Sequence, residues 1–128
     1  MAVLGLVSVP IAMINELNSI GALAFLQDPK HMNILLDLHN QGVIIAAIFW
    51  GLWLFPLGVL IKDSGYFPKI IGWAVILAGF GYTIDAILKL LMPDFVLLAP
   101  VWQIMIFGEL VFLFWLVVKG AKLPIIKA

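Results

Sequence analysis

The 128-residue chain contains no cysteine and no arginine, and only 11% of its residues are charged. Without cysteine it has no disulfides, no thiolate metal ligands and no cysteine nucleophile. Its seven lysines balance seven acidic residues, so the formal net charge at pH 7 is zero. Nucleic-acid binding requires a basic surface that neutralises phosphates. We therefore predict no nucleic-acid partner.

Sequence motifs for catalysis are also lacking. The serines are Ser8, Ser19 and Ser64, and there is no GxSxG, HExxH or Gly-rich phosphate loop. The two histidines, His31 and His39, are separated by a loop and a helix start, which is a poor arrangement for a preformed metal pair. The sequence predicts no catalytic residues and no metal site, and it favours a non-enzymatic role.

Apolar residues make up 65% of the chain, well above the ~45–50% of an average soluble domain. They form four runs, each long enough to cross a ~30 Å hydrocarbon core, which takes about 20 helical residues. The runs lack the period-two alternation of membrane strands. The sequence therefore predicts an all-α integral membrane protein in which residues 1–128 form a single domain, a four-helix transmembrane bundle. The predicted helices cover about residues 2–26, 39–61, 68–92 and 97–118.

The first apolar run also has features of a secretory signal, because Ala22-Leu23-Ala24 has the small residues of a cleavage site. However, no lysine or arginine precedes the run, and it is interrupted by Asn15, Glu16 and Asn18. A signal peptide is polar mainly near its ends. We therefore expect this run to be the first membrane helix.

The lysines predict how these helices are oriented. With four crossings, both termini and the second loop lie on one side of the membrane. That side carries Lys62, Lys69, Lys119, Lys122 and Lys127, whereas the other side carries Lys30 and Lys89. Because lysine and arginine concentrate in cytoplasmic loops, both termini are predicted to be cytoplasmic.

Polar side chains within the predicted spans must face protein or water, because lipid does not satisfy them. Tyr82, Asp85 and Lys89 share one face of the third span, and Asp85 and Lys89 have the spacing of an ion pair.

Glu109 lies near the middle of the fourth span, where a charged group costs ~2.5–3.5 kcal/mol. Gly108 before it leaves room for a neighbouring helix or ligand, just as Gly51 and Gly79 predict close helix contacts.

These polar residues define a candidate site in the outer half of the bundle. Glu16 lies at a depth similar to that of Glu109 and is its expected partner, and His39 stands at the outer mouth of the second span. We expect six residues from four helices to converge as a binding or proton-exchange site: Glu109, Glu16, Asp85, Lys89, Tyr82 and His39. A purely structural alternative is that Asp85 pairs with Lys89 and that His39 is an ordinary interfacial residue.

Several sequence blocks also point to a known family. They are Leu38-His39 with Gly42, Phe49 to Gly58, Ser64 to Pro68, Gly79 to Asp85, and Gly108-Glu109 with Trp115 to Gly120. Together they resemble the bacterial multi-helix membrane family DUF4386, a domain of unknown function. Members usually have more helices, so this chain resembles their C-terminal two-thirds. The resemblance implies a multi-pass protein of the bacterial inner (cytoplasmic) membrane, and it transfers no activity.

Three functions are compatible with these features. The favoured one is an accessory or assembly subunit that packs against other membrane proteins, lipids or pigments, or against a second copy of itself. The alternative is a small proton-coupled carrier or ligand-binding protein using Glu16, Asp85 and Glu109. A third is a membrane enzyme acting on a lipid-like substrate. The sequence requires no cofactor, although one histidine such as His39 suffices to ligate a porphyrin-type pigment.

Overall fold

The computed structural model describes residues 2–93 and 99–120, and these residues form four α-helices without a strand. The helices are α1 (Ala2–Leu23), α2 (Pro29–Asp63), α3 (Lys69–Leu91) and α4 (Ala99–Lys119). The predicted all-α class is confirmed for this part of the chain. Lys122, Lys127 and the predicted start of the last span at residue 97 lie outside the described residues.

The second helix starts ten residues earlier than the predicted span. Its N-cap is Asp28, whose carboxylate accepts a hydrogen bond from the His31 backbone N–H at 3.4 Å. Pro29 occupies the first turn, where its missing N–H costs nothing. The predicted start at residue 39 was wrong, because it followed the apolar run instead of the cap. With 35 residues, α2 is about 50 Å long and exceeds a ~30 Å hydrocarbon core.

Ser64, Gly65 and Pro68 form the turn between α2 and α3. The Ser64 N–H bonds to the Leu60 carbonyl at 2.9 Å, and the Ser64 hydroxyl donates to the Ile61 carbonyl at 3.0 Å. Gly65 follows with φ +74°, a left-handed conformation that glycine adopts without steric cost. Pro68 then precedes the first residue of α3. The chain therefore reverses direction within five residues, and α2 and α3 run antiparallel.

Glycine pairs bring α2 and α3 close together. Gly51 lies opposite Gly79, and Gly58 lies opposite Gly72. A Cβ added at Gly58 would stand 2.7 Å from the Gly72 carbonyl oxygen, and one at Gly51 would stand 2.9 Å from that of Gly79. Such distances leave no space for a side chain, so the predicted close contacts at Gly51 and Gly79 are confirmed. Leu54 is fully buried in this contact.

The helices pack in chain order, α1 on α2, α2 on α3 and α3 on α4. Among the described residues no Cα atom of α1 lies within 8 Å of α3 or α4. The predicted bundle is therefore open on the side between α1 and α4. The candidate functional site lies at this opening.

Three helices of the described chain are long and apolar enough to cross a membrane: α1 from Val3, α2 and α3. Large apolar side chains point outward from each. Leu6 of α1 is 71% exposed and Ile70 of α3 is 75% exposed. A membrane crossing by α4, predicted over residues 97–118, stays a prediction.

Candidate functional site

A cleft of about 570 Å³, which we call the central cleft, lies between α1 and α4, with α2 and α3 contributing to its lining. Its surface is mostly apolar. The lining residues come from all four helices: Gly5, Ser8, Val9, Trp50, Trp53, Tyr82 and Glu109. The central cleft therefore exists only when all four helices are in place.

One polar contact crosses the wall of the central cleft. The Tyr82 hydroxyl donates a hydrogen bond to Glu109 Oε2 at 3.2 Å, and both residues are half-buried. Gly108 allows this contact, because a Cβ at that position would overlap the Ala74 carbonyl and would stand 3.3 Å from Ala78 Cβ. The glycine thus lets α4 approach α3, as predicted, and it sets the position of the carboxyl group that follows.

Aromatic rings form the α2 side of the central cleft. Trp50 meets Tyr82 edge to face, with ring centroids 6.4 Å apart and an interplanar angle of 75°. Trp53 faces α1, where a Cβ added at Gly5 would be 3.7 Å from Trp53 Cε3. On α1 the buried Ser8 hydroxyl donates to the Gly5 carbonyl at 2.9 Å. The α1 wall therefore presents a glycine and a serine toward the tryptophans, and the serine hydroxyl is already hydrogen-bonded.

A second, smaller cavity of about 190 Å³ adjoins the central cleft and shares Trp50 and Tyr82 with it. Asp85 and Lys89 line this cavity, and Lys89 Nζ lies 2.7 Å from Asp85 Oδ2. The Asp85 side chain is 14% exposed and the Lys89 side chain 50% exposed. Asp85 and Lys89 are four residues apart on α3, as predicted. Their opposite charges form an ion pair next to the central cleft.

His39 lies in a different place from the other predicted site residues. The Asn15 side-chain amide donates to the His39 carbonyl at 2.8 Å and lies 3.2 Å from His39 Nδ1. Gly42, one turn further along α2, leaves the space that Asn15 occupies. This group joins α1 to α2 away from the central cleft, so the predicted convergence of six residues is wrong for His39.

The structure also separates Glu16 from Glu109. Glu16 is exposed on α1, whereas the neighbouring Asn15 is buried against α2. Successive residues of a helix point about 100° apart, so only one of the two can face α2. Glu109 is instead paired with Tyr82. The expected partnership of Glu16 with Glu109 was wrong.

Five residues of the central cleft were not predicted as site residues: Gly5, Ser8, Val9, Trp50 and Trp53. Trp50 and Trp53 are three residues apart on α2, which places them on one helix face. An aromatic stripe at helical spacing is usually core. Recognising a cleft required knowing that α1 and α4 stay apart, and no local pattern encodes that separation.

These features define a class: an all-α protein with membrane-compatible helices and an aromatic cleft that carries one carboxyl group. The chain belongs to the family of the domain of unknown function DUF4386, which matches residues 1–120. The match includes α1, which the sequence blocks from residue 38 onward did not cover.

Two further comparisons bear on this family. An uncharacterised protein of Archaeoglobus fulgidus is 40% identical over 79 residues, which are 62% of this chain and 46% of that protein. The chain therefore matches about half the length of this relative. No solved structure was found to match the chain.

Proposed function

We propose that this chain is a multi-pass protein of the cytoplasmic membrane with a binding role, and that it holds an apolar ligand in the central cleft. The observation that carries the proposal is the cleft itself, which combines three aromatic side chains with one carboxyl group. It lies between α1 and α4, whose described residues have no Cα atoms within 8 Å of each other. A binding role needs such a cavity and needs no catalytic group. It corresponds to the ligand-binding alternative from the sequence, built on Glu109 without Glu16.

The outward-facing residues support a membrane location. Leu6, Ile70 and Val117 are between 71% and 87% exposed and lie on three different helices. Large contiguous apolar surfaces are rare on proteins surrounded by water, and many large apolar side chains are exposed on each described helix. A surrounding bilayer removes that cost, since lipid tails solvate these side chains. The lysine distribution supports cytoplasmic termini.

The dimensions of the central cleft support ligand binding. Its volume of about 570 Å³ falls within the range of roughly 300–1,000 Å³ that is usual for small-molecule sites. Such sites are mostly apolar with a few polar groups that set orientation, and the Tyr82–Glu109 pair fits that description. The gap between α1 and α4 offers a lipid-soluble molecule a lateral route into the site.

A cleft-filling variant tests this proposal. Val9 lines the central cleft, whereas Val3 on the same helix is 71% exposed and does not line it. In lipid nanodiscs, the neutral fluorescent probe N-phenyl-1-naphthylamine should bind the wild-type protein above the background of empty discs. Val9→Trp should remove most of that binding, and Val3→Trp should leave it intact. Equal binding by the two variants would contradict a ligand site in the central cleft.

A second candidate function is the accessory subunit predicted from the sequence. One observation favours it: α1 and α4 each pack against a single helix, so much of α4 is uncovered, including Phe107, Phe114 and Val117. These faces suit contact with another membrane protein. Purification from native membranes in mild detergent tests this role. A larger partner in fixed stoichiometry would support it, and an isolated monomer would argue against it.

A further inference from the structure

Among the described residues, the central cleft is lined by an acidic side chain and by no basic one. Its lining residues include no lysine and no histidine, and Glu109 supplies the sole carboxyl group among them. Within the described residues Glu109 has one hydrogen bond, from the neutral Tyr82 hydroxyl to Oε2. The second oxygen, Oε1, stays available to a ligand. A molecule in the cleft therefore meets a carboxyl group that is not paired with any lysine or histidine among the described residues.

The nearby lysines are engaged elsewhere. Lys89, in the adjoining cavity, is bound to Asp85 at 2.7 Å. Lys119 lies at the end of α4, with its Nζ 4.6 Å from the centre of the Trp115 ring. None of the ion pairs formed by the described residues includes Glu109.

The aromatic rings add a second attraction for positive charge. Trp50, Trp53 and Tyr82 line the cleft beside Glu109. The face of an aromatic ring attracts a cation that lies within about 6 Å, tryptophan most strongly, and the gain reaches roughly 2 kcal/mol when water is excluded. Trp50 and Tyr82 meet at 75°, so their planes enclose a corner. Aromatic walls around a corner are the arrangement that recognises quaternary ammonium groups.

Metal cations fit the site poorly. Ca²⁺ takes about six to eight oxygen ligands and Mg²⁺ a near-ideal octahedral set. The side-chain oxygens lining the central cleft belong to Ser8, Tyr82 and Glu109, which are too few groups for either coordination set. The remaining surface is apolar, so the site favours a cation that carries apolar substituents.

We propose that the central cleft binds a lipophilic organic cation, such as a quaternary ammonium or phosphonium compound, between Glu109 and the rings of Trp50, Trp53 and Tyr82. This inference rests on the proposed binding function and names its ligand class. The apolar substituents of the cation occupy the volume beside Val9 and Gly5, and the positive centre lies near Glu109 Oε1. Such a molecule reaches the cleft from the bilayer.

Two ions of the same shape test the charge preference in the unmodified protein. Tetraphenylphosphonium and tetraphenylborate differ in the sign of their charge, and binding of each is measured in phosphatidylcholine nanodiscs against empty discs. We expect the phosphonium to bind at least tenfold more tightly than the borate after this correction. Equal affinities, or a preference for the borate, would overturn the proposal.

A matched pair of variants locates the charge. Glu109→Gln keeps the side-chain shape and an acceptor for the Tyr82 hydroxyl, so the fold should survive. It should weaken phosphonium binding at least tenfold. Glu16→Gln, the same change on the exposed face of α1, should leave phosphonium binding unchanged. Unchanged phosphonium binding by Glu109→Gln would refute the assigned role of this carboxylate.

The neutral probe distinguishes the two proposals. Suppose that Val9→Trp abolishes binding of the neutral probe but that the unmodified protein shows no preference for the cation. The ligand-binding function would then be retained, and the cationic ligand class would be rejected. If none of the three molecules bound above the empty-disc background, both proposals would fail. Phosphonium selectivity that disappears in Glu109→Gln and persists in Glu16→Gln would support both.

Discussion

The Tyr82 hydroxyl donates a 3.2 Å hydrogen bond to Glu109 Oε2 and joins α3 to α4 at the wall of the central cleft. This contact depends on Gly108, whose missing side chain lets α4 lie against Ala74. The bond holds one carboxyl oxygen, and no other side chain in the described part of the protein is hydrogen-bonded to Glu109. One tyrosine therefore both orients the acid and contributes a ring to the cleft.

Removing the Tyr82 hydroxyl should change the environment of Glu109 without disturbing the fold. Tyr82→Phe removes the donor to Oε2, and a hydrogen bond of this kind contributes about 0.5–1.5 kcal/mol. We expect the infrared carboxyl band that is absent in Glu109→Gln to shift in Tyr82→Phe. Tyr66→Phe, in the exposed turn before α3, is the control and should leave the band in place. A band at the same position in Tyr82→Phe and wild type would contradict the observed contact.

Replacing glycine by alanine should lower the thermal stability only where the glycine lies in a close helix contact. Gly51→Ala places a Cβ 2.9 Å from the Gly79 carbonyl oxygen, so α2 and α3 must separate, at a cost of about 1–3 kcal/mol. Gly5→Ala meets Trp53 at an ordinary 3.7 Å and gains the better helix propensity of alanine. Thermal unfolding in detergent should show a lower midpoint for Gly51→Ala and an equal or higher one for Gly5→Ala. Equal midpoints for both variants would argue against the Gly51–Gly79 contact.

Two neighbouring polar residues of α1 should respond oppositely to truncation. Asn15 binds the His39 carbonyl at 2.8 Å and accepts a hydrogen bond from Asn18 at 3.1 Å. Asn15→Ala should therefore lower the free energy of unfolding by about 1 kcal/mol or more. Glu16→Ala, on the exposed face, should change it by less than about 0.5 kcal/mol. The reverse order of effects would place Glu16, instead of Asn15, at the α1–α2 contact.

The Asp85–Lys89 pair should show coupling in a double-mutant cycle. Lys89→Met leaves Asp85, which is 14% exposed, without its cation. Because Lys89 is half exposed, solvent screening limits the expected coupling to about 0.5–1 kcal/mol. Asp85→Asn should therefore destabilise the protein less in the Lys89→Met background than alone. Strict additivity of the two changes in unfolding free energy would show that the pair contributes no net stability.

The orientation of the chain is open to a direct test. The lysine bias predicts that reporter fusions at the C-terminus and between α2 and α3 report the cytoplasm. A fusion next to Asp28, between α1 and α2, should report the outside. A cytoplasmic signal at Asp28 would overturn the predicted crossing by α1.

Local sequence patterns predicted the helices well, because helix formation depends on short-range features. The helices formed by the apolar runs and the close contacts at Gly51 and Gly79 occur where they were expected. The start of α2 was missed because the apolar run begins after residue 38, whereas the cap at Asp28 lies upstream in a polar stretch. Hydropathy indicates which residues suit lipid, but it does not indicate at which residue the helix begins.

By itself, the sequence determined that this protein is helical, poor in charge and closely packed at glycines, since these properties follow from composition and spacing along one chain. Only the tertiary structure decided which polar groups meet. Glu109 pairs with Tyr82 because Gly108 lets α4 pack against α3. Glu16 is exposed and does not join this pair, because Asn15 occupies the face of α1 that contacts α2. The central cleft likewise arises from a gap between α1 and α4. A gap between helices is a property of their relative placement, and residue periodicity within each helix carries no information about it.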